Sequence, residues 1–127
     1  MNTTDMRSTQ TLSASAQALV LAREVSERLL DLTRVHDDPE RLMEAEIITG
    51  ALSLWLGEGE RGRGSLEHSV TLADAHQSTA HTYLYGHDPR IVGRVLASEA
   101  LWLQGYSDQA LRYGSDLRTI VLEDGSP

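Results

Sequence analysis

The sequence predicts an all-α fold, and three features support that prediction. Leu and Ala, both strong helix formers, together supply 31 of the 127 residues. Proline occurs only at positions 39, 89 and 127, so long stretches of chain carry no helix breaker. β-Branched residues are few, which argues against a β-sandwich or barrel. At this length we expect one domain with a buried core.

Composition excludes several classes of protein. The absence of Cys removes disulfide scaffolds, thiol nucleophiles and Cys-ligated zinc. A formal charge of −8 opposes binding to bare nucleic acid and to anionic membranes. Apolar runs are too short to span a bilayer, and residues 1–11 carry no secretory signal pattern. We therefore expect a cytoplasmic protein.

Apolar periodicity defines a single helical domain over residues 12–123. Residues 1–11 show no periodicity and are expected to be a disordered tail, and residues 124–127 a frayed end. The first helix is predicted from Leu12 to about Val35, with apolar residues at three- and four-residue spacing on one face. That face consists of Ala18, Leu21, Ala22, Val25, Leu29 and Leu32.

Two Asp-Pro pairs mark the starts of the second and fourth helices. Asp38 and Asp88 are predicted as helix caps, because an Asp side chain accepts hydrogen bonds from first-turn N–H groups. The proline that follows each of them lacks an N–H that would be unpaired anyway. The second helix is expected to end at Gly57 and the fourth at Gln104. Their inward residues are predicted to be Leu42, Ala45, Thr49, Leu52 and Leu56, then Gly93, Leu96, Ala100 and Leu103.

Two further helices complete the prediction. The third is expected to run from the glycine-rich stretch 57–64 to about Ala75. A loop over residues 76–87, with an apolar knot at Tyr83, Leu84 and Tyr85, leads to the fourth. Ser107 or Asp108 can cap the fifth. The residues expected to be buried are Leu66, Val70 and Ala73 in the third helix, and Ala110, Leu111, Gly114, Leu117 and Val121 in the fifth.

The chain contains an internal repeat. The Asp-Pro pair recurs, and the run Ser-Leu-Trp-Leu-Gly at 53–57 recurs as Ala-Leu-Trp-Leu-Gln-Gly at 100–105. Each unit reads helix, tight glycine turn, helix. Such a unit cannot bury its apolar face alone, so we expect neighbouring units to stack.

Residues 100–111, ALWLQGYSDQAL, resemble the tetratricopeptide repeat (TPR). With Tyr85-Gly-His-Asp-Pro89, they are similar to the TPR tails of bacterial signalling ATPases fused to adenylate/guanylate cyclase or transcriptional-regulator domains. The resemblance implies a right-handed array of two helical hairpins that follow an orphan helix. The small residues that match the repeat pattern, and are expected to pack it, are Gly50, Gly57, Gly62, Ala97, Gly105 and Ala110.

The resemblance also implies a concave groove that takes peptides. Its face would consist of Glu44, Ile47, Ala51, Trp55, Val92, Val95, Glu99 and Trp102. Trp55 and Trp102 either line this groove or pack between helices, and the sequence leaves both roles open. Related clamps for acidic peptide tails use basic residues on this face, where this chain has Glu44 and Glu99. A basic or apolar protein or peptide is therefore the expected partner.

Other motifs have simpler explanations. Gly57-x-Gly59-x-x-Gly62 matches a dinucleotide fingerprint, but a helix precedes it rather than a strand, and two acids within it repel phosphate. His76, His81 and His87 are spaced by five and six residues in an expected loop, so we predict no metal site. A Gly-x-Ser-x-Gly elbow is missing, and paired acids fall at helix starts and turns.

The sequence thus predicts a protein–protein interaction module without catalysis or cofactor. The ATPase and cyclase modules are absent, and helix 12–35 lacks its expected partner helix. That helix, or the terminal helix 107–122, is expected to hold a homodimer. Two alternatives stay open. One is a regulatory fragment that acts in trans on a cyclase or ATPase signalling protein, and the other is a small helical enzyme or ligand-binding protein.

Overall fold

The computed structural model describes residues 3–76, 82 and 85–124, and within these ranges it describes side chains from residue 13 to residue 123. Five helices and no strand occur in this part of the chain, which confirms the all-α prediction. They are α1 (Thr3–Val35), α2 (Pro39–Trp55), α3 (Gly59–Ala75), α4 (Pro89–Leu103) and α5 (Ser107–Asp124). None of these five, over the residues described, has the length and apolar character of a membrane-crossing helix.

Helix α1 begins at Thr3, earlier than the predicted start at Leu12. Residues 3–11 contain neither Pro nor Gly, so nothing in their sequence stops the helix from extending through them. The disordered tail expected there is therefore not seen from residue 3 onward. Tyr83 and Leu84 of the predicted apolar knot, and residues 125–127, lie outside the described residues.

Consecutive helices run antiparallel, as the contacts between them show. Arg34 near the end of α1 contacts Glu46 in α2, whereas Arg23, further back in α1, pairs with Glu58 just beyond α2. The same reversal relates α3 to α4 and α4 to α5, through the pairs Asp74–Arg94, Gly59–Gln104, Ser98–Ala110 and Arg94–Asp116.

The centre of the molecule is the crossing of α2 and α3, where two glycines meet. A Cβ on Gly62 would lie 2.8 Å from the carbonyl oxygen of Gly50, so only glycine lets the two backbones approach this closely. Leu66 fills the space beside this contact and is fully buried. The core cluster around it consists of Leu54, Leu66, Ala97 and Ala100, with Leu96 and Tyr113 packed against it. The predicted burial of Leu66, Val70 and Ala73 is confirmed.

Each helical hairpin closes with the same kind of turn. Gly57 and Gly105 adopt φ values of 84° and 88°, the left-handed conformation in which glycine ends helices. The N–H of Glu58 donates to the carbonyl of Ser53 at 2.9 Å, and that of Tyr106 to Leu101 at 2.8 Å. These bonds satisfy carbonyls at the ends of α2 and α4, and they fix the direction of the helix that follows.

The buried face of α1 differs from the prediction. Ser26, Leu30 and Thr33 are buried, while the predicted apolar face is largely exposed. Ion pairs from Arg23 to Glu58 and from Arg61 to Glu27 reinforce the contact along this polar side. Leu30, two small polar side chains and these ion pairs thus hold α1 on the body of the molecule, and its periodic apolar residues point elsewhere.

Burial in α2, α4 and α5 also departs from the predicted stripes. Helix α2 contacts α1, α3 and α4, so most of its circumference is buried, but one strip that carries Ile48 and Trp55 is exposed. Leu42, Leu52 and Leu56 are only half-buried. Among the predicted inward residues of α5, Ala110 is buried but Leu111 and Val121 are exposed. Helix α5 packs chiefly on α4, so less of its surface is covered. Leu103, in the last turn of α4, is exposed as well.

Candidate binding face on helices α2 and α4

Helices α2 and α4 lie side by side and point in the same direction. Near their first turns, His87 Nε2 lies 2.9 Å from Glu44 Oε1. Helix α3 runs antiparallel to both of them, so α2 and α4 are parallel, and they contact each other directly. Equivalent residues of the two helices therefore fall at the same end of the pair.

The predicted groove residues differ in their exposure. Ile47 and Ala51 are buried, and Val92 is half-buried. Glu44 is mostly covered and contacts His87. The exposed members of the set are Trp55, Val95, Glu99 and Trp102. These four residues are called the α2–α4 face below.

Both tryptophans are exposed, which contradicts the packing role, while the groove role stays a prediction. The exposed fraction is 58% for Trp55 and 66% for Trp102. Such values rule out inter-helix packing as their role within the described residues. Both residues lie in the last turns of their helices, and they are therefore at the same end of the α2–α4 pair.

Sequence reasoning missed two exposed apolar residues on these helices. Leu103 follows Trp102 directly, and Ile48 follows the buried Ile47. Leu103 had been assigned inward by its spacing from Ala100. The chain turns away at Gly105, however, so the last turn of α4 is not covered on that side. The nearby turn glycine was the signal that could have identified this exposure.

The α2–α4 face carries negative charge. Glu99 is exposed and forms no ion pair with any residue that the structure describes. Glu44 lies one helix away with its carboxylate against the His87 ring. Exposed apolar side chains next to an unneutralised carboxylate suit a ligand that is apolar or basic.

Asp38 and Asp88 are the N-caps of the two helices that carry this face. Asp38 accepts from the N–H of Arg41 at 3.2 Å, and Asp88 from that of Arg90 at 2.9 Å. The Arg90 guanidinium also donates a hydrogen bond to Asp88, from Nη2 to Oδ2 at 2.7 Å. Burial opposes ionisation of Asp88, but the hydrogen bonds from Arg90 outweigh it and lower the pKa of this carboxyl below 3.8.

The glycine-rich turn has a structural role. Helix α2 precedes Gly57, so the strand that a dinucleotide site requires is replaced by a helix. Glu58 in this turn is held by Arg23. Their hydrogen bond lowers the pKa of Glu58 and raises that of Arg23. The shallow depression beside the turn is lined by Gly57, Glu58, Gly59, Glu60, Arg61 and Gln104. Its glutamates disfavour a phosphate ligand.

The histidines that the sequence places at positions 76, 81 and 87 were predicted not to form a metal site. His76 is the C-cap of α3 and His87 contacts Glu44, while His81 lies outside the described residues. Among the residues whose positions are described, no group of three or more His, Asp or Glu side chains is placed to hold a metal ion.

Comparisons with known proteins give no relative from which a function could be transferred. No protein-family model, no curated protein and no solved structure matches the chain.

Proposed function

We propose that this chain is a protein–protein interaction module that binds a basic or apolar peptide segment across the α2–α4 face and has no catalytic activity of its own. The observation that carries this proposal is the exposure of Trp55 and Trp102 at one end of two parallel, adjacent helices. Tryptophan is enriched among the residues that dominate binding energy at protein interfaces.

We also propose how the helical hairpins are arranged. Hairpins α2–α3 and α4–α5 would stack as in a TPR array, with α1 in the place of a lone second helix. Three features support this arrangement: the antiparallel order, the matching glycine turns and the parallel pairing of α2 with α4. In such an array the first helices of the hairpins line the inner surface, and here these are the helices that carry the tryptophans.

The charge of the face favours one class of ligand over its opposite. Glu99 would attract a Lys or Arg of the bound segment, and Val95 would contact an apolar side chain. An acidic peptide would meet the free Glu99 carboxylate and a chain of net charge −8. We therefore expect acidic segments to bind weakly.

Peptide selection on the full-length chain tests this function directly. A random 12-residue peptide library displayed on phage should yield sequences rich in Lys, Arg and large apolar residues. Synthetic versions without Trp should shift the tryptophan fluorescence of the protein when they bind. Trp55→Ala and Trp102→Ala should each weaken binding by roughly tenfold or more.

The matched control is Leu111→Ala, which removes an apolar side chain that is 69% exposed and lies on α5, outside the α2–α4 face. This variant should bind the selected peptides as the unaltered protein does. Circular dichroism checks that all variants keep their helices. Selected peptides that are acidic, or that bind both tryptophan variants with full affinity, would contradict the proposal.

A further inference from the structure

A row of apolar side chains on α1 has no cover among the residues that the structure describes. Leu21 and Val25 are 61% and 67% exposed, and Leu29 and Leu32 are 43% and 57% exposed. Ala14 and Ala18 extend this row toward the start of α1, and Val35 extends it to the last residue of the helix. The α1 stripe, as it is called below, consists of Ala14, Ala18, Leu21, Val25, Leu29, Leu32 and Val35.

The spacing of the α1 stripe is that of a helix–helix seam. Steps of three and four residues lead from Ala14 to Val35, the pattern that places one side chain in every turn against a partner helix. In a strict alternation of four- and three-residue steps the seam positions are 14, 18, 21, 25, 28, 32 and 35, so Arg28 takes the position between Val25 and Leu32, and Leu29 flanks it. Arg28 is exposed and forms no ion pair within the described residues.

The geometry of α1 leaves room for another helix. With 33 residues, α1 is about 50 Å long at 1.5 Å per residue, roughly twice the length of α2. Side chains 13–18 are all exposed, so the first half of α1 extends past the body of the molecule. A partner along the α1 stripe would not collide with α2, which contacts the opposite side through Ser26, Leu30 and Thr33.

We propose that the α1 stripe binds the α1 stripe of a second copy of this chain, with the two helices antiparallel about a two-fold axis. Charge selects this orientation. A parallel pair in register would place the two Arg28 side chains opposite each other, which is repulsive. With Arg28 opposite Val25 of the second copy, each guanidinium lies beside Glu24 of that copy. Glu24 is exposed and has no ion pair of its own among the described residues.

The antiparallel register is self-complementary, as a two-fold interface requires. It sets Leu21 of each copy opposite Leu32 of the other, and it sets Ala18 opposite Val35. Two leucines therefore meet on each side of the axis, Ala18 meets the larger Val35, and the two Arg28–Glu24 pairs flank the axis symmetrically. This inference uses a surface separate from the α2–α4 face, and it does not rest on the proposed function.

Sedimentation equilibrium on the full chain tests the association. At roughly 50 µM, where interfaces of micromolar affinity form, we expect a dimer. Leu21→Glu would bury a carboxylate against Leu32 of the second copy, where no cation faces it, and should weaken the dimer by roughly a hundredfold. The matched control is Leu111→Glu, at an exposed leucine on α5. A monomeric protein would overturn the proposal, as would a dimer that Leu111→Glu weakens equally.

Cysteine cross-linking tests the orientation, because the chain has no Cys of its own. In the proposed register, a mixture of Leu21→Cys and Leu32→Cys proteins should form a mixed disulfide dimer. Each variant alone should cross-link poorly, since residues 11 positions apart on a helix are separated by about 16 Å. Efficient self-cross-linking of either variant would indicate a parallel pair and overturn the proposal.

A charge exchange tests the pairing of Arg28. The single variants Arg28→Glu and Glu24→Arg should each weaken the dimer, because each places like charges beside one another. The double variant should recover most of the lost affinity, since it restores the opposite-charge pair in reverse. Circular dichroism establishes that each variant is folded. A double variant as weak as the sum of the singles would overturn the assigned register.

Discussion

The two helical hairpins share a turn but differ in how tightly their helices meet. Counted from the turn glycine, Gly50 and Gly62 of the first hairpin correspond to Ser98 and Ala110 of the second. The first pair brings two backbones into contact, whereas in the second the Ser98 hydroxyl donates to the carbonyl of Ala110 at 3.4 Å. One sequence pattern thus supports both a tight crossing and a looser one.

The number of neighbouring helices explains the difference. Helix α3 packs against both α2 and α4, and its Leu66 is fully buried. The corresponding residue of the second hairpin is Gly114, which is exposed and would have nothing within 4 Å of an added Cβ. A helix with neighbours on two sides needs a precise fit, while the outer helix α5 tolerates an open position. The following predictions test that contrast.

The largest effect is expected at the centre of the first hairpin. Leu66→Ala should lower the free energy of unfolding by about 3 kcal/mol, because it removes buried contacts and leaves a cavity between α2, α3 and α4. Leu111→Ala, at an exposed leucine of the second hairpin, should change it by less than about 0.5 kcal/mol. Urea unfolding followed by circular dichroism measures both. Equal effects would show that the two hairpins do not differ in packing.

The second-largest change in stability is expected at Gly62 of α3, and Gly64 of the same helix serves as its control. Gly62→Ala should destabilise the protein by roughly 2 kcal/mol, because the new Cβ would lie 2.8 Å from the Gly50 carbonyl oxygen and the backbones would have to move apart. Gly64→Ala is the control, since a Cβ there meets nothing within 4 Å. This variant should stabilise α3 by up to about 1 kcal/mol through helix propensity. A neutral Gly62→Ala would remove the argument for a close crossing.

The smallest change in stability is expected at Asp88, the N-cap of α4 in the second hairpin. Asp88→Ala should cost about 1 kcal/mol near neutral pH, because the first turn of α4 loses its acceptor. Since folding lowers the pKa of Asp88 below 3.8, its stabilising contribution is fully present above that value. The contribution is lost as the pH falls through the lower, folded-state pKa.

Unfolding of the unaltered protein and of Asp88→Ala, compared from pH 6 downward, checks the sign of this linkage. The gap between the two free energies should stay constant until the pH approaches 3.8 and should then narrow. A gap that widens with acidification would contradict the assigned ion pair between Asp88 and Arg90.

Much of the fold could be predicted from local sequence signals. Asp38 and Asp88 mark helix starts, and Gly57 and Gly105 mark helix ends, because capping and left-handed turns depend on a few adjacent residues. Burial could not be predicted as well. Leu21 and Val25 have the periodicity of a buried face, yet α2 covers the side of α1 that carries Leu30. Periodicity reveals that an apolar face exists, but not which neighbour covers it.

The candidate binding face shows the same limit. The resemblance to repeat proteins grouped eight residues on two helices, and those two helices contact each other, with His87 against Glu44 near their first turns. Ile47 and Ala51 are nevertheless buried, whereas Leu103 is exposed. The direction of a side chain near a helix end depends on where the following helix departs, and that is a tertiary property.

The parallel arrangement of α2 and α4 also sets a length scale for any bound segment. Neighbouring helices lie about 10 Å apart from axis to axis, and Trp55 and Trp102 stand at the same end of this pair. An extended peptide advances about 3.3 Å per residue. A segment that contacts both tryptophans in extended form should therefore carry its two anchoring side chains about three residues apart.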